Sequence, residues 1–180
     1  MTDRGMLMSD TIIPPRAKLF ISIIFSSEEI LAGAEKRLIK KFGPVDYRTR
    51  NTPFISGELY REKGPPKLRV FLSFNRLIKR EKIIGIRRFT VKLEKRFMEK
   101  GLMKVKIDPG YITLSNVFIA TGKDYFHRTY LGKGVYLENQ YRYLAKHYQP
   151  WEWTPPDLHR PEYLFFFHEM RTLYQKQMER

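Results

Sequence analysis

The sequence predicts an α+β fold, a ferredoxin-like βαββαβ half followed by a β-rich extension and a C-terminal helix. Three observations carry this. A β-branched and aromatic run over 18–25 passes straight into helical spacing; a second helical stripe at 79–100 lies between further runs of β type; and beyond 111 short β-type runs alternate with glycine turns until Pro161 opens a last helical stretch.

Taken in order, residues 1–17 are Met-rich and polar and end near Pro14-Pro15, so they are expected to form a flexible lead-in to a single domain over 18–180. Lys18 to Phe25 reads as a central strand buried on both faces. Ser26 with Glu29 has capping-box spacing, and Leu31, Ala34, Leu38 and Phe42 recur as one face of a helix that Gly43-Pro44 stops. Val45 to Arg50 is a short strand. The stretch 51–66, with Tyr60 and Glu62 among Gly57, Gly64, Pro65 and Pro66, reads as a long loop of the kind that often carries function. Lys67 to Leu77, which includes Arg69, is a third strand with its turn.

Lys79 to Lys100 is expected to be the second helix, with Ile86, Phe89, Leu93 and Phe97 inward and Arg87, Arg88, Lys92, Lys95 and Arg96 on the opposite arc. That arc is either a solvated face or a platform for a polyanion. Lys104 to Ile107 alternates as a half-buried strand, and Asp108-Pro109-Gly110 has turn chemistry. Ile112–Ala120 is read as a strand, although Leu114, Val117 and Phe118 also fit a helix. His127–Leu131 and Val135–Leu144 pair across Gly132-Lys133-Gly134. Gln149 to Pro161 is a turn-rich tether holding Trp151, Trp153 and Asp157. Pro161 suits the first turn of a helix reaching about Gln177, with Leu164, Phe167, Met170 and Tyr174 inward.

The net charge of +15, from 34 basic and 19 acidic residues, leaves many cations without a possible internal partner and favours an anionic ligand. Cysteine is absent, which excludes disulfides, thiolate catalysis and cysteine-ligated metal sites. Neither an export signal nor a run of 18 apolar residues is present, so a cytoplasmic location is expected, without membrane association.

The polar residues gather between Ile107 and Glu138. Asp108 and Tyr111 flank the expected turn, where a strand end would present a carboxylate and a hydroxyl. Thr121, Lys123 and Asp124 surround Gly122, but the spacing is not that of a P-loop or of a guanine-specifying motif. His127 and Arg128 bring a group titrating near neutrality and a forked cation; on an extended strand they would face opposite ways. The remaining histidines, His147, His159 and His168, have no metal-ligand spacing with it, so no metal site is assigned.

On these residues the chain resembles the domain-of-unknown-function 4416 family over nearly all of 18–174. The resemblance rests on Asp108-Pro109-Gly110-Tyr111, Ala120-Thr121 with Lys123-Asp124, His127-Arg128 with Tyr130-Leu131, Gly134 with Tyr136 and Glu138, Trp153-Thr154 with Pro156-Asp157, and the loop carrying Tyr60, Glu62 and Gly64. Pro155 and Leu158 stand where the family tends to have aromatics, and Asn139-Gln140 replaces an apolar residue and threonine. The resemblance implies a list of site residues and no activity.

Three functions remain open at this level. The first is binding of RNA or another phosphate-bearing ligand, with Lys123, Arg128 and Lys133 on phosphates and Tyr60, Arg69, Tyr111, Thr121, Asp124, Tyr130, Trp153 and Asp157 as further contacts. The second is acid–base catalysis on a phosphorylated or carboxylated small molecule by Glu62, Asp108, His127 and Glu138. The third is a structural or assembly role. Cofactor and oligomeric state are not fixed by the sequence.

Overall fold

The computed structural model describes residues 11–55 and 67–179. β1 (Ala17–Phe25) is buried along its whole length because helices cover both faces of the sheet it centres. α1 (Glu28–Phe42) follows at once, capped by Ser27, whose Oγ accepts the Ile30 N–H at 3.4 Å. Ser26, the expected cap, instead donates its hydroxyl to the Lys104 carbonyl. β2 (Val45–Arg48) ends before Arg50, and β3 (Thr52–Pro53) falls inside the expected loop; both pair with β4 (Leu68–Ile78).

A 3₁₀ turn (Arg80–Lys82) leads into α2 (Ile83–Lys95), which stops short of the expected Lys100. The remainder forms a separate hairpin, β5 (Met98–Glu99) and β6 (Leu102–Met103), turning through Lys100 and Gly101 at positive φ. Then come β7 (Val105–Ile112), β8 (Asn116–Thr121), β9 (Thr129–Gly132), β10 (Val135–Leu144) and β11 (His147–Pro150). A 3₁₀ turn (Pro156–His159) precedes α3 (Pro161–Met178).

The fold is therefore α+β, and the described residues form three α-helices and a nine-stranded antiparallel sheet. Its order is β11-β10-β8-β7-β1-β4-β2, with β3 beside β4 and β9 beside β10. The late strands do not build a separate β-rich unit, because β8 pairs with β7 and continues the same sheet. Alternation along β1 sends Leu19, Ile21 and Ile23 to an aliphatic core under α1 and α2, while Phe20 joins Phe71, Tyr141, Tyr163 and Phe167 in an aromatic core under α3. The described residues contain no helix long and apolar enough to cross a membrane.

Asp108-Pro109-Gly110 lies inside β7, opposite Ser22, Ile21 and Phe20 of β1, and is not a turn. Three local conditions allow it. Ile107 directs its N–H and carbonyl to side chains of α2, so two residues on, the missing N–H of Pro109 points to the same side, just before β8 begins to pair at Gly110. Gly110 is required because a Cβ there would sit 2.2 Å from the Phe118 carbonyl oxygen and 2.3 Å from the Phe20 ring. The reversal itself comes later, at Thr113, whose Oγ1 accepts the N–H groups of Ser115 and Asn116. That turn settles the ambiguous stretch: residues 113–115 reverse the chain and β8 follows.

Candidate anion-binding site

The loop between β8 and β9 brings three predicted residues together. Arg128 N–H donates to the Tyr125 carbonyl, closing a turn, and the strand begins only at Thr129. His127 and Arg128 therefore escape strand alternation and converge on one carboxylate. His127 Nε2 lies 2.8 Å from Glu138 Oε1, and Arg128 Nε donates to Glu138 Oε2 at 2.7 Å. Glu138 is buried on β10, and Arg128 also donates to the Lys123 carbonyl, which ties the Gly122–Asp124 segment to the hairpin.

The His127 ring is the end of a column. It stacks on Trp153 at 4.9 Å and 12°, Trp153 stacks on Trp151 at 5.2 Å and 7°, and the Arg142 guanidinium lies over Trp151 at 4.9 Å. Trp153 Nε1 donates to the Asn139 carbonyl, which fixes the stretch after β11 against β10.

Asp108 belongs to a different network. Arg87 Nη1 donates to the Ile107 carbonyl at 2.7 Å and lies 3.3 Å from both Glu94 and Asp108 carboxylate oxygens. Glu94 Oε1 accepts the Ile107 N–H at 2.7 Å. Two side chains of α2 thus stand in for a neighbouring strand where β7 has none. Burial pushes the Glu94 carboxyl up, against the opposing pull of Arg87. Burial acts upward on Asp108 too, but Lys106, Arg87 and Arg69 outweigh it and hold that carboxyl below its ordinary range. Tyr111, three positions on, faces the other side of the sheet, and burial raises its hydroxyl pKa.

Arg69 and Asp157 form a third network under α3. Arg69 Nη1 pairs with Asp157 Oδ2 between the rings of Phe54 and Phe71, and Asp157 Oδ1 accepts the Ile55 N–H at 3.1 Å. This pair anchors the segment after β3 to the turn before α3. Glu62 and Tyr60 lie outside the described residues. Asp108 and Glu138 are thus held in separate networks, each with its own cations.

Two concavities stand out. A groove of about 660 Å³ beside the start of α1 is lined by Glu29 and Glu99 as well as Lys104, so its charge is mixed. A cleft of about 350 Å³ between α2 and the β9–β10 turn is lined by Arg87, Arg88, Lys92, Lys95 and Lys133, with Gly122 and Gly134 across from α2 and no carboxylate among the described lining residues. Lys133 and Gly134 both have positive φ, the two-residue turn that Val135 opposite Gly132 requires. A Cβ placed on Gly122 would lie 3.8 Å from the Gly134 carbonyl oxygen, an ordinary contact.

The predicted Thr121, Lys123 and Asp124 flank the lining residue Gly122 in sequence: Thr121 Oγ1 accepts the Lys123 N–H, and burial raises the Tyr136 hydroxyl, with the Asp124 charge adding to it. Tyr130 lies on the rim, its hydroxyl 3.5 Å from the Gly134 nitrogen. The basic arc of α2 is expected from the sequence either as a solvated face or as a polyanion platform, whereas Tyr125, Phe126, Trp151 and Arg142 are not among the expected contacts. Two consecutive aromatics in a polar turn, Tyr125-Phe126, were the available signal.

No curated protein and no solved structure matches the chain. A family model described as Domain of unknown function (DUF4416) matches residues 15–174, and the chain belongs to that family.

Proposed function

We propose that the protein binds a phosphate-bearing anion in the cleft between α2 and the β9–β10 turn. The observation that carries this is the lining: five cations from two separate elements, of which Arg87 is paired with Glu94 and Asp108 and four are left facing the cleft, with Gly122 and Gly134 and no acidic side chain among the described lining residues. Arg88, Lys92 and Lys95 are exposed, so their charges are available to a ligand rather than spent inside the fold. Arg128, expected to touch phosphate, instead orients the loop through Glu138 and the Lys123 carbonyl. Lys133 keeps its expected part as a phosphate contact. We read the protein as cytoplasmic, where RNA and phosphorylated metabolites are abundant. The first half we read as a ferredoxin-like βαββαβ unit; the order β7-β1-β4-β2, with α1 and α2 over one face, supports that reading.

Fluorescence anisotropy with a labelled RNA of about 12 nucleotides, and competition by inorganic pyrophosphate, tests the cleft. Affinity should fall steeply between roughly 50 and 200 mM salt. Lys92→Glu with Lys95→Glu should weaken binding at least about tenfold at low salt, since two attractions become repulsions. Wild-type affinity in that double variant would remove the cleft as the site.

A further inference from the structure

The connection from β8 to β9, and β9 itself, carry three aromatic rings that the fold does not bury. Phe126 is 82% exposed, Tyr130 59% and Tyr125 56%, within six consecutive residues that begin three positions after cleft residue Gly122. A phenyl ring so open is not a core residue, and Phe126 packs on Tyr125 at 5.0 Å, so the exposure of this pair is not scattered.

We propose that this ridge stacks the bases of a single-stranded nucleic acid whose phosphates enter the cleft. The inference rests on the anion-binding reading and names its ligand class. Three features point to bases rather than an apolar protein surface. First, the rings and the basic cleft meet at the β9–β10 turn: the Tyr130 hydroxyl lies 3.5 Å from the nitrogen of cleft residue Gly134, so a strand whose phosphates lie on the α2 side reaches the rings by crossing the sheet edge there. A strand of alternating phosphate and base meets both chemistries at once. Second, the surplus charge of the whole chain is positive, which attracts a polyanion and repels most basic partners.

Third, the rings are held in place. Phe126 and Tyr125 pack edgewise on His127 at 4.8 and 5.2 Å, and His127 is fixed beneath them by Trp153 and Glu138. Tyr130 leans on Tyr136 at 5.0 Å. A platform fixed before binding loses little side-chain freedom when a base arrives. On this account His127, Glu138 and Trp153 are positioning residues beneath the platform.

The test compares a labelled oligouridine of about 12 nucleotides with a blunt RNA duplex of the same length, on wild type, Phe126→Ala, Tyr130→Ala and the Lys92→Glu/Lys95→Glu variant. Single strand should bind more tightly than duplex. Each alanine variant should lose about tenfold for the single strand, with an unchanged salt slope, because stacking involves no counterion release. Both alanine positions are exposed, and circular dichroism confirms that the variants fold. Equal affinity for duplex and single strand, or wild-type affinity in both alanine variants, overturns the stacking platform while leaving the cleft intact. Loss in the alanine variants with none in the lysine variant overturns the cleft alone. If wild type binds neither RNA at low salt, the anion-binding reading and the platform fail together; if Phe126→Ala abolishes self-association instead, the ridge is a protein interface and the platform alone fails.

Discussion

Arg87 and Arg88 are neighbours on α2 with opposite surroundings. Arg87 is buried at a seam where Glu94, Asp108 and the Ile107 carbonyl all lie within 3.3 Å of its Nη1. Arg88 is exposed on the cleft, which Arg87 also lines from its buried side, together with Lys92, Lys95 and Lys133 and with no acidic side chain among the described lining residues. A cation's role here follows from whether the fold brings an acceptor to it. The seam exists because at Ile107 β7 is paired with β1 on one edge but has no strand on the other, where β8 pairs only over Gly110–Ile112; the cleft lies farther along, between α2 and the β9–β10 turn.

The comparison breaks most sharply at Glu94. In Glu94→Ala the Ile107 N–H loses its acceptor and Arg87 keeps only part of its compensation in a buried setting, so stability should fall by about 3–5 kcal/mol. Urea denaturation measures this. A loss below about 1 kcal/mol would mean that solvent reaches the seam and that the two arginines differ less than their burial implies.

Most of the frame was legible because periodicity and burial agreed in it. The run 18–25, the stripe Leu31, Ala34, Leu38 and Phe42, and Pro161 before the last helix each met the partner layer their pattern required. The misses have local causes. Asp108-Pro109-Gly110 carries turn residues, yet each is used for something else: a carboxylate for Arg87, an N–H that nothing needs, and a space filled by Phe20. β11 was invisible because its hairpin turns through Ala145 and Lys146 at positive φ, without the glycine or asparagine that usually marks such a turn. At the site, spacing picked out His127, Arg128 and Glu138 one by one. Their convergence depends on a turn at 125–128 that alternation could not reveal, and the meeting of α2 with Gly122 and Lys133 is purely tertiary.

Proton linkage sharpens the picture within the seam. Asp108 has a folded pKa below its unfolded value of about 3.9, so its contribution is complete at neutral pH and is lost as pH falls through the folded value. Glu94 is shifted the other way, so the folded state takes up its proton first and the wild type gains on this account as pH falls toward the unfolded value. Urea midpoints between about pH 7 and pH 3 should therefore diverge. The deficit of Asp108→Asn relative to wild type should shrink in acid, whereas that of Glu94→Gln should grow. Parallel curves for the two variants would contradict the opposite shifts.

The smallest effect on stability is expected at Arg88, and there the comparison meets function. Arg88→Ala removes an exposed cation with no carboxylate among its cleft neighbours, so urea midpoints should move by no more than about 0.5 kcal/mol. Its effect belongs to the ligand. If Arg88 neutralises one phosphate, the slope of log affinity against log salt for an RNA single strand should become shallower by about 0.7, and binding should weaken for every sequence alike. The same substitution read by denaturation and by salt titration thus separates the two jobs of a cation on one helix. A changed midpoint with an unchanged slope would assign Arg88 to the fold and move the anion site away from α2.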